Sequence, residues 1–277
     1  MTNLQKEVIK LLKQGLIPSD VAKKLNKNKS TVHSVIKRYP DIIGNYNKTM
    51  NTCDHNYFDN INTEEKAYLL GFFIADGYIS TNSTRMGVLI QSNDDVVLKC
   101  IQSSFAPNNK IYTKNLSTNK IIRKTQSKIR WCSVHMKNIL INKYKILPNK
   151  TYDSTFNFPF ETIPNNLKRH FIRGFIDGDG SFESHNGIFT MTLVGTSQIF
   201  MQQFGEQILL LDNDMKLNIK EVQGKTINWF TLRFNMFGRN KPEKVMKIYN
   251  YLYQDSTIFL QRKKDKIESY LKYRGKL

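Results

Sequence analysis

Two aspartates in matching surroundings are the residues of this sequence best placed to do chemistry. Asp76 closes the run Tyr68-Leu-Leu-Gly-Phe-Phe-Ile-Ala-Asp-Gly-Tyr78, and Asp179 closes Phe171-Ile-Arg-Gly-Phe-Ile-Asp-Gly-Asp-Gly-Ser181, about a hundred residues later. Each run is apolar, carries an interior glycine (Gly71, Gly174) and ends in Asp-Gly. An interior glycine costs a helix about 0.5–1 kcal/mol relative to alanine, and an aspartate at a helix C-terminus faces the negative end of the macrodipole. The two choices make sense together if the helices cross at their glycines and carry the carboxylates towards one another. Carboxylates at close range repel unless a cation lies between them. Oxygen ligands of this kind suit Mg²⁺, or Mn²⁺, with positions left for water and phosphate. A cation so held assists in-line displacement at a phosphodiester. One Asp-Gly alone is more simply a helix-ending turn. Two copies, each followed by the same order of elements, favour the functional reading.

The charge points the same way. With 42 lysines and arginines against 23 acidic residues among 277, the net charge is +19. A field of that sign attracts polyanions, so nucleic acid is the expected partner. No uninterrupted apolar run approaches the roughly 18 residues of a spanning helix, and the N-terminus has no signal-peptide core. Membrane is therefore not expected. Cys53, Cys100 and Cys132 are odd in number and irregular in spacing, which fits a reducing cytoplasm or organellar matrix. Cys53 and His55 have no second pair and fall short of a zinc site.

The elements that must position the aspartates can be read along the chain. Residues 1–40 carry three short helical patterns: Gly15 ends the first, Pro18-Ser-Asp opens the second and Lys29-Ser-Thr the third. This is the layout of a helix-turn-helix, whose last helix would present Ser30, Thr31, His33, Ser34 and Lys37 to the major groove. A three-helix cap with a solvated basic face is the plainer alternative. Residues 41–62 are Asn-rich and aperiodic, as a linker would be. In a first repeat, 63–150, the patterns predict a motif helix over 63–77, a strand at 87–91, a helix over 93–105, strands at 110–114 and 128–134, and a helix over 137–144. A second repeat, 151–277, follows with a motif helix over 165–179, strands at 181–183 and 188–194, and a helix over 197–211. Strands at 217–222 and 227–234, a helix over 241–253 and a basic final helix over 255–272 complete it. The expected fold class is α+β, the order helix, two strands, helix, two strands, helix occurring twice beside a small all-α N-terminal domain.

Over roughly residues 63–273 the paired segments resemble those of the LAGLIDADG homing endonucleases, in the single-chain form that carries both copies. Asp76 and Asp179 fill the eighth motif position, the acidic metal ligand of that family. The first copy departs at the sixth position, where Ile74 stands opposite Asp177; Asp177 is expected to be a structural or solvent-facing carboxylate rather than a ligand. The resemblance implies a saddle of strands on double-stranded DNA with a long specific site, phosphodiester hydrolysis with Mg²⁺ or Mn²⁺, and a monomer. It also implies a lysine near the end of each repeat, for which Lys150 and Lys263 are the best matches. Strand alternation turns Phe230 and Leu232 inward and leaves Trp229, Thr231, Arg233, Thr190, Thr192, Lys128 and Arg130 facing the groove. Arg123 and Lys124 lie in a connection suited to phosphate contact. Two alternatives stay open: a DNA-binding regulator without catalysis, and an RNA splicing cofactor acting on intron RNA.

Overall fold

In the computed structural model the chain divides into two units, Met1–Thr52 and Cys53–Leu277, each with its own hydrophobic core. The structure describes residues 1–14, 16, 18–39, 53–115, 125–211, 216–224, 226–236 and 242–277, with backbone alone at 216, 217, 235 and 236. Gly15, expected to end the first helix, lies outside the described residues. Among them no helix is long and apolar enough to cross a membrane.

The smaller unit contains α1 (Asn3–Lys13), α2 (Pro18–Lys24) and α3 (Lys29–Arg38). Thr2 and Gln5 form a reciprocal capping box that starts α1, satisfying two amides that the first turn leaves unpaired. Val8, Leu11 and Leu12 of α1 meet Val21 and Ala22 of α2 and Val32 and Val35 of α3 in one apolar cluster. On α3, Ser30, His33, Ser34 and Lys37 are exposed and Thr31 is half-buried.

The larger unit opens on α4 (Glu64–Asp76), started by the Thr63 hydroxyl, which accepts the amide of Lys66. There follow β1 (Gly77–Ile79), β2 (Arg85–Gln91), α5 (Asp95–Ser104), β3 (Tyr112–Lys114), β4 (Gln126–Cys132) and α6 (Val134–Asn142). The second half repeats the order with α7 (Lys168–Asp179), β5 (Ser181–His185), β6 (Ile188–Gly195), α8 (Gln198–Leu209), β7 (Lys216–Val222), β8 (Trp229–Met236) and α9 (Pro242–Tyr253), then adds α10 (Gln261–Tyr273). The two antiparallel sheets have equivalent strand orders, β1-β2-β4-β3 and β5-β6-β8-β7. Alternation sets their inner faces: Val88 lies opposite Ile129 in one sheet and Leu193 opposite Leu232 in the other, all buried. Both motif helices are central. Every residue from Ala67 to Ala75 in α4 and from His170 to Asp177 in α7 is buried, so these helices are enclosed all round rather than on one stripe.

The short β1 was not among the strands expected for the first repeat, several elements are shifted by a few residues, and three differences bear on the site. Residues 53–61, read as linker, belong to the larger core: Tyr57, Phe58 and Ile61 are buried, and Tyr57 and Phe58 pack against Phe105 at ring-centroid distances of 4.6 and 5.8 Å. The motif helix does not include Gly77, which turns straight into β1 with φ −78° and ψ 156°. The last helix begins at Gln261, not at 255, because the backbone at Thr257, Ile258 and Leu260 is engaged by side chains from α4 and α7.

Candidate active site

The close approach of α4 and α7 is set by side chains that are missing. A Cβ built on Gly71 would overlap the carbonyl oxygen of Phe171, and one on Gly174 would overlap that of Tyr68. A third glycine, Gly178, acts at the C-terminal end: its Cβ would overlap that of Ala75 and lie 3.1 Å from Oδ2 of Asp76. The sequence reading did not single out Gly178, although its counterpart Ala75 is also small. Asp76 and Asp179 are the last residues of α4 and α7, so the crossing delivers both carboxylates to one place. Asp76 is half-buried, and Asp179 is open to solvent at the mouth of the recess.

Neither carboxylate is comfortable as an anion. Burial, the charge of Asp179 and then that of Asp94 push Asp76 up to about 7, against the pull of Lys150 and Lys263. The protein walls raise Asp179 as well, again with Lys150 and Lys263 opposing. Each lysine also answers a helix end. Lys150 Nζ donates to the carbonyl of Ala75 at 2.8 Å and Lys263 Nζ to that of Ile176 at 3.4 Å, placing positive charge where the last turn exposes its carbonyls. Lys150 enters from a single 3₁₀ turn, Lys150–Tyr152, behind Asn149 in the left-handed region at φ 60°. Lys263 is 4% exposed, so it is not a solvated surface lysine. Burial lowers both ammonium pKa values, that of Lys263 to about 8 with Arg262 contributing. A cavity of ≈ 440 Å³ adjoins this point, with Asp179, Lys150 and Thr196 among its polar lining and Phe175, Met201 and Trp229 among its apolar lining.

Asp177 is structural and fully buried; its solvent-facing alternative is excluded. Its carboxylate accepts from Tyr68 at 2.9 Å, Tyr253 at 3.0 Å and the Leu260 amide at 2.8 Å. Burial nevertheless raises it to about 6. Arg173, also fully buried, donates to Glu64 at 2.6 Å, to the carbonyls of Leu252 and Ile258 at 2.8 and 3.0 Å, and lies 5.4 Å over the Tyr68 ring. Glu64 in turn accepts the Thr257 amide at 2.8 Å. These two networks tie the motif helices to each other and to the segment leading into α10. Sequence inspection flagged neither Arg173 nor Glu64; a charged residue set between Phe171-Ile172 and Gly174-Phe175-Ile176 was the available signal for Arg173.

Residues 63–138 match the model of the LAGLIDADG-like domain. The matched stretch spans α4, the four strands of the first sheet, α5 and the start of α6, and includes Asp76. No curated protein matches the sequence. Among solved structures, the homing endonuclease I-WcaI bound to its DNA recognition sequence is similar with a TM-score of 0.47 and 12% identity over 76% of this chain and 90% of that one. The N-terminal LAGLIDADG domain of WhiA gives 0.44 and 11% over 77% and 93%, and I-DmoI in complex with DNA and Mn gives 0.41 and 12% over 70% and 98%. At such identities the chemistry has to be argued from the residues themselves.

The outer faces of the sheets hold the other candidates. In the first sheet, Lys128 and Arg130 of β4 are half-buried, with the Arg130 guanidinium 5.6 Å over the ring of Tyr112. In the second sheet Thr190, Thr192 and Thr231 are half-buried and Trp229 and Arg233 exposed, Thr192 and Asn218 lying on either side of Arg233 in register. Leu89, Tyr112 and Val194, also exposed, share these outer faces and were not foreseen. Arg123 and Lys124 lie outside the described residues. Ser30, Thr31, His33, Ser34 and Lys37 belong to the smaller unit. His55, near the buried Cys53, meets the Ser133 hydroxyl at 2.9 Å.

The two motif aspartates suit a divalent cation. Among the described residues no three His, Cys, Asp or Glu side chains converge, so Asp76 and Asp179 would hold it with water and phosphate completing the shell, as Mg²⁺ favours. Its charge would offset the burial and the repulsion that raise Asp76. That relief is measurable without any substrate. Because the folded pKa of Asp76 lies above the unfolded value near 3.9, ionising it costs stability progressively as pH rises from about 4 through about 7, and in full above that. Without divalent cation, Asp76→Asn should therefore raise Tm by about 4 °C at pH 8 and by far less at pH 4. Millimolar Mg²⁺ should raise the Tm of the wild type and leave that of the variant. Calorimetry at the two pH values checks this, and an Asn variant less stable than wild type at pH 8 would contradict it.

Proposed function

We propose that this chain is a metal-dependent, site-specific double-strand DNA endonuclease. The observation that carries the reading is the meeting of two helix-terminal aspartates with a lysine at the carbonyl end of each helix, Lys150 at that of α4 and Lys263 at that of α7. A protein that only binds DNA gains nothing from negative charge placed where phosphate must lie. A cation held by Asp76 and Asp179 would supply positive charge to the phosphodiester and acidify a water molecule.

The chain's own residues do the rest. Lys150 and Lys263 bring positive charge to the phosphate as negative charge builds on it. The equivalent strand orders of the two sheets give one chain two halves of a saddle, so a monomer suffices, with Lys128, Arg130, Thr190, Thr192, Trp229, Thr231 and Arg233 turned to the groove. The three-helix unit serves as a helix-turn-helix, and tethering it raises its effective concentration at a long site.

Incubation of the protein with a randomised duplex library and Mg²⁺, followed by sequencing of cut ends, tests activity and specificity together. Recovery of one long cut site is the expected result. Tight duplex binding with no cut product would replace the nuclease by a DNA-binding regulator, and higher affinity for intron RNA than for duplex DNA would favour the splicing cofactor.

A further inference from the structure

The loops that lead into α5 and α8 occupy equivalent places in the two halves and behave differently. Ser197, at the N-cap of α8, accepts the Phe200 amide at 3.2 Å and donates to the carbonyl of Phe156 at 2.5 Å. Asp94, at the N-cap of α5, makes no side-chain cap hydrogen bond. An aspartate at that position ordinarily caps its own helix. Here its carboxylate accepts Nε and Nη2 of Arg262, each at 2.7 Å, in a two-pronged, charge-assisted pair. Asp94 is 5% exposed. It belongs to the first half of the larger unit, whereas Arg262 stands in the first turn of α10 at the end of the second.

Arg262 immediately precedes Lys263. The Lys263 side chain is long and flexible, and its ammonium reaches the end of α7 only if the first turn of α10 is correctly placed. Glu64, Arg173 and Asp177 fix the segment that enters that turn, at Thr257, Ile258 and Leu260. All three anchors lie before the helix; the fork between Asp94 and Arg262 holds the turn itself, through the residue next to Lys263. We infer that Asp94 and Arg262 are positioning residues, whose ion pair across the two halves sets the first turn of α10 and so holds Lys263 in the site. The effect on catalysis rests on the nuclease reading of the same site, whereas the placement of Lys263 does not.

Two readouts separate these. Acylation of amines in the protein without metal or DNA, followed by mass spectrometry, reports whether Lys263 stays sheltered. In Asp94→Asn and in Arg262→Gln, Lys263 should be labelled at least about tenfold faster than in wild type, with Lys150 unchanged. The charge-swapped double variant Asp94→Arg, Arg262→Asp should restore protection. Arg262 is half-exposed at 48%, so its glutamine variant tests the idea even if the Asp94 variant folds poorly. On a supercoiled target, both single variants should accumulate nicked circles, because Lys263 and Lys150 serve the ends of different motif helices and losing one slows one strand. A general loss of stability would slow both strands alike. Folded variants in which Lys263 remains as protected as in wild type would overturn the inference. A wild type that cuts nothing would instead defeat the nuclease reading and leave the labelling test to decide the placement.

Discussion

Asp76→Asn and Asp179→Asn are each expected to lower single-turnover cleavage of a bound duplex by at least about a thousandfold, while affinity for the duplex holds or rises. The substitution keeps the shape of each side chain and removes its charge, so the crossing of α4 and α7 survives. What is lost is the attraction for a cation, and with it the positive charge that would offset the phosphodiester as it reacts. Affinity moves the other way because an aspartate beside a phosphate is repulsive. Two unit charges about 5 Å apart interact by roughly 3 kcal/mol at an effective dielectric of 20, an upper measure of what asparagine would relieve. Cleavage by rapid quench and binding by anisotropy without divalent cation give the two quantities separately. Cleavage that persisted unchanged in both variants would sink the carboxylate mechanism, and affinity that fell with it would point to loss of folding instead.

Gly174→Ala should destabilise the larger unit by about 3 kcal/mol, even though alanine is about 1 kcal/mol better than glycine in an isolated helix. The sign is decided by what a methyl group would meet. Besides overlapping the Tyr68 carbonyl oxygen, its Cβ would lie 2.9 Å from that carbonyl carbon and 3.0 Å from the Phe72 amide nitrogen. These are backbone atoms of a helix and cannot swing aside as a side chain can. The helices would have to separate, which strains the hydrogen bond from Tyr68 to Asp177 and the ion pair between Arg173 and Glu64. Equilibrium urea denaturation followed by tryptophan fluorescence reads the change, since Trp131 is buried in this core. An alanine variant as stable as wild type would show that the helices do not touch at Gly174.

Much of this architecture is legible in the residues because it depends on local chemistry. Alternation in Phe189-Thr-Met-Thr-Leu193 and Trp229-Phe-Thr-Leu-Arg233 separates inner from outer faces, since successive strand side chains point to opposite sides; the structure buries Phe189, Met191, Leu193 and Leu232 accordingly. The Thr63-Glu-Glu start of α4 and the Asp-Gly ends of both motif helices are likewise local signals. Residues 53–61 were misread because Asn-rich composition outweighed Tyr57 and Phe58, whose partner Phe105 is distant in sequence.

Two like segments, each with an interior glycine and a terminal aspartate, in a strongly basic chain that repeats its order of elements, are visible in the residues alone. How the acids divide their work depends on contacts between residues remote in sequence. Asp177 and Asp179 are the same residue type two positions apart, but two positions turn about 200° around a helix. One therefore points into Tyr68, Tyr253 and the start of α10, and the other into the recess with Asp76. The same holds for the last helix: residues 255–260 have no local signal that forbids helix, and it is Arg173, Glu64 and Asp177, remote in sequence, that claim their backbone groups.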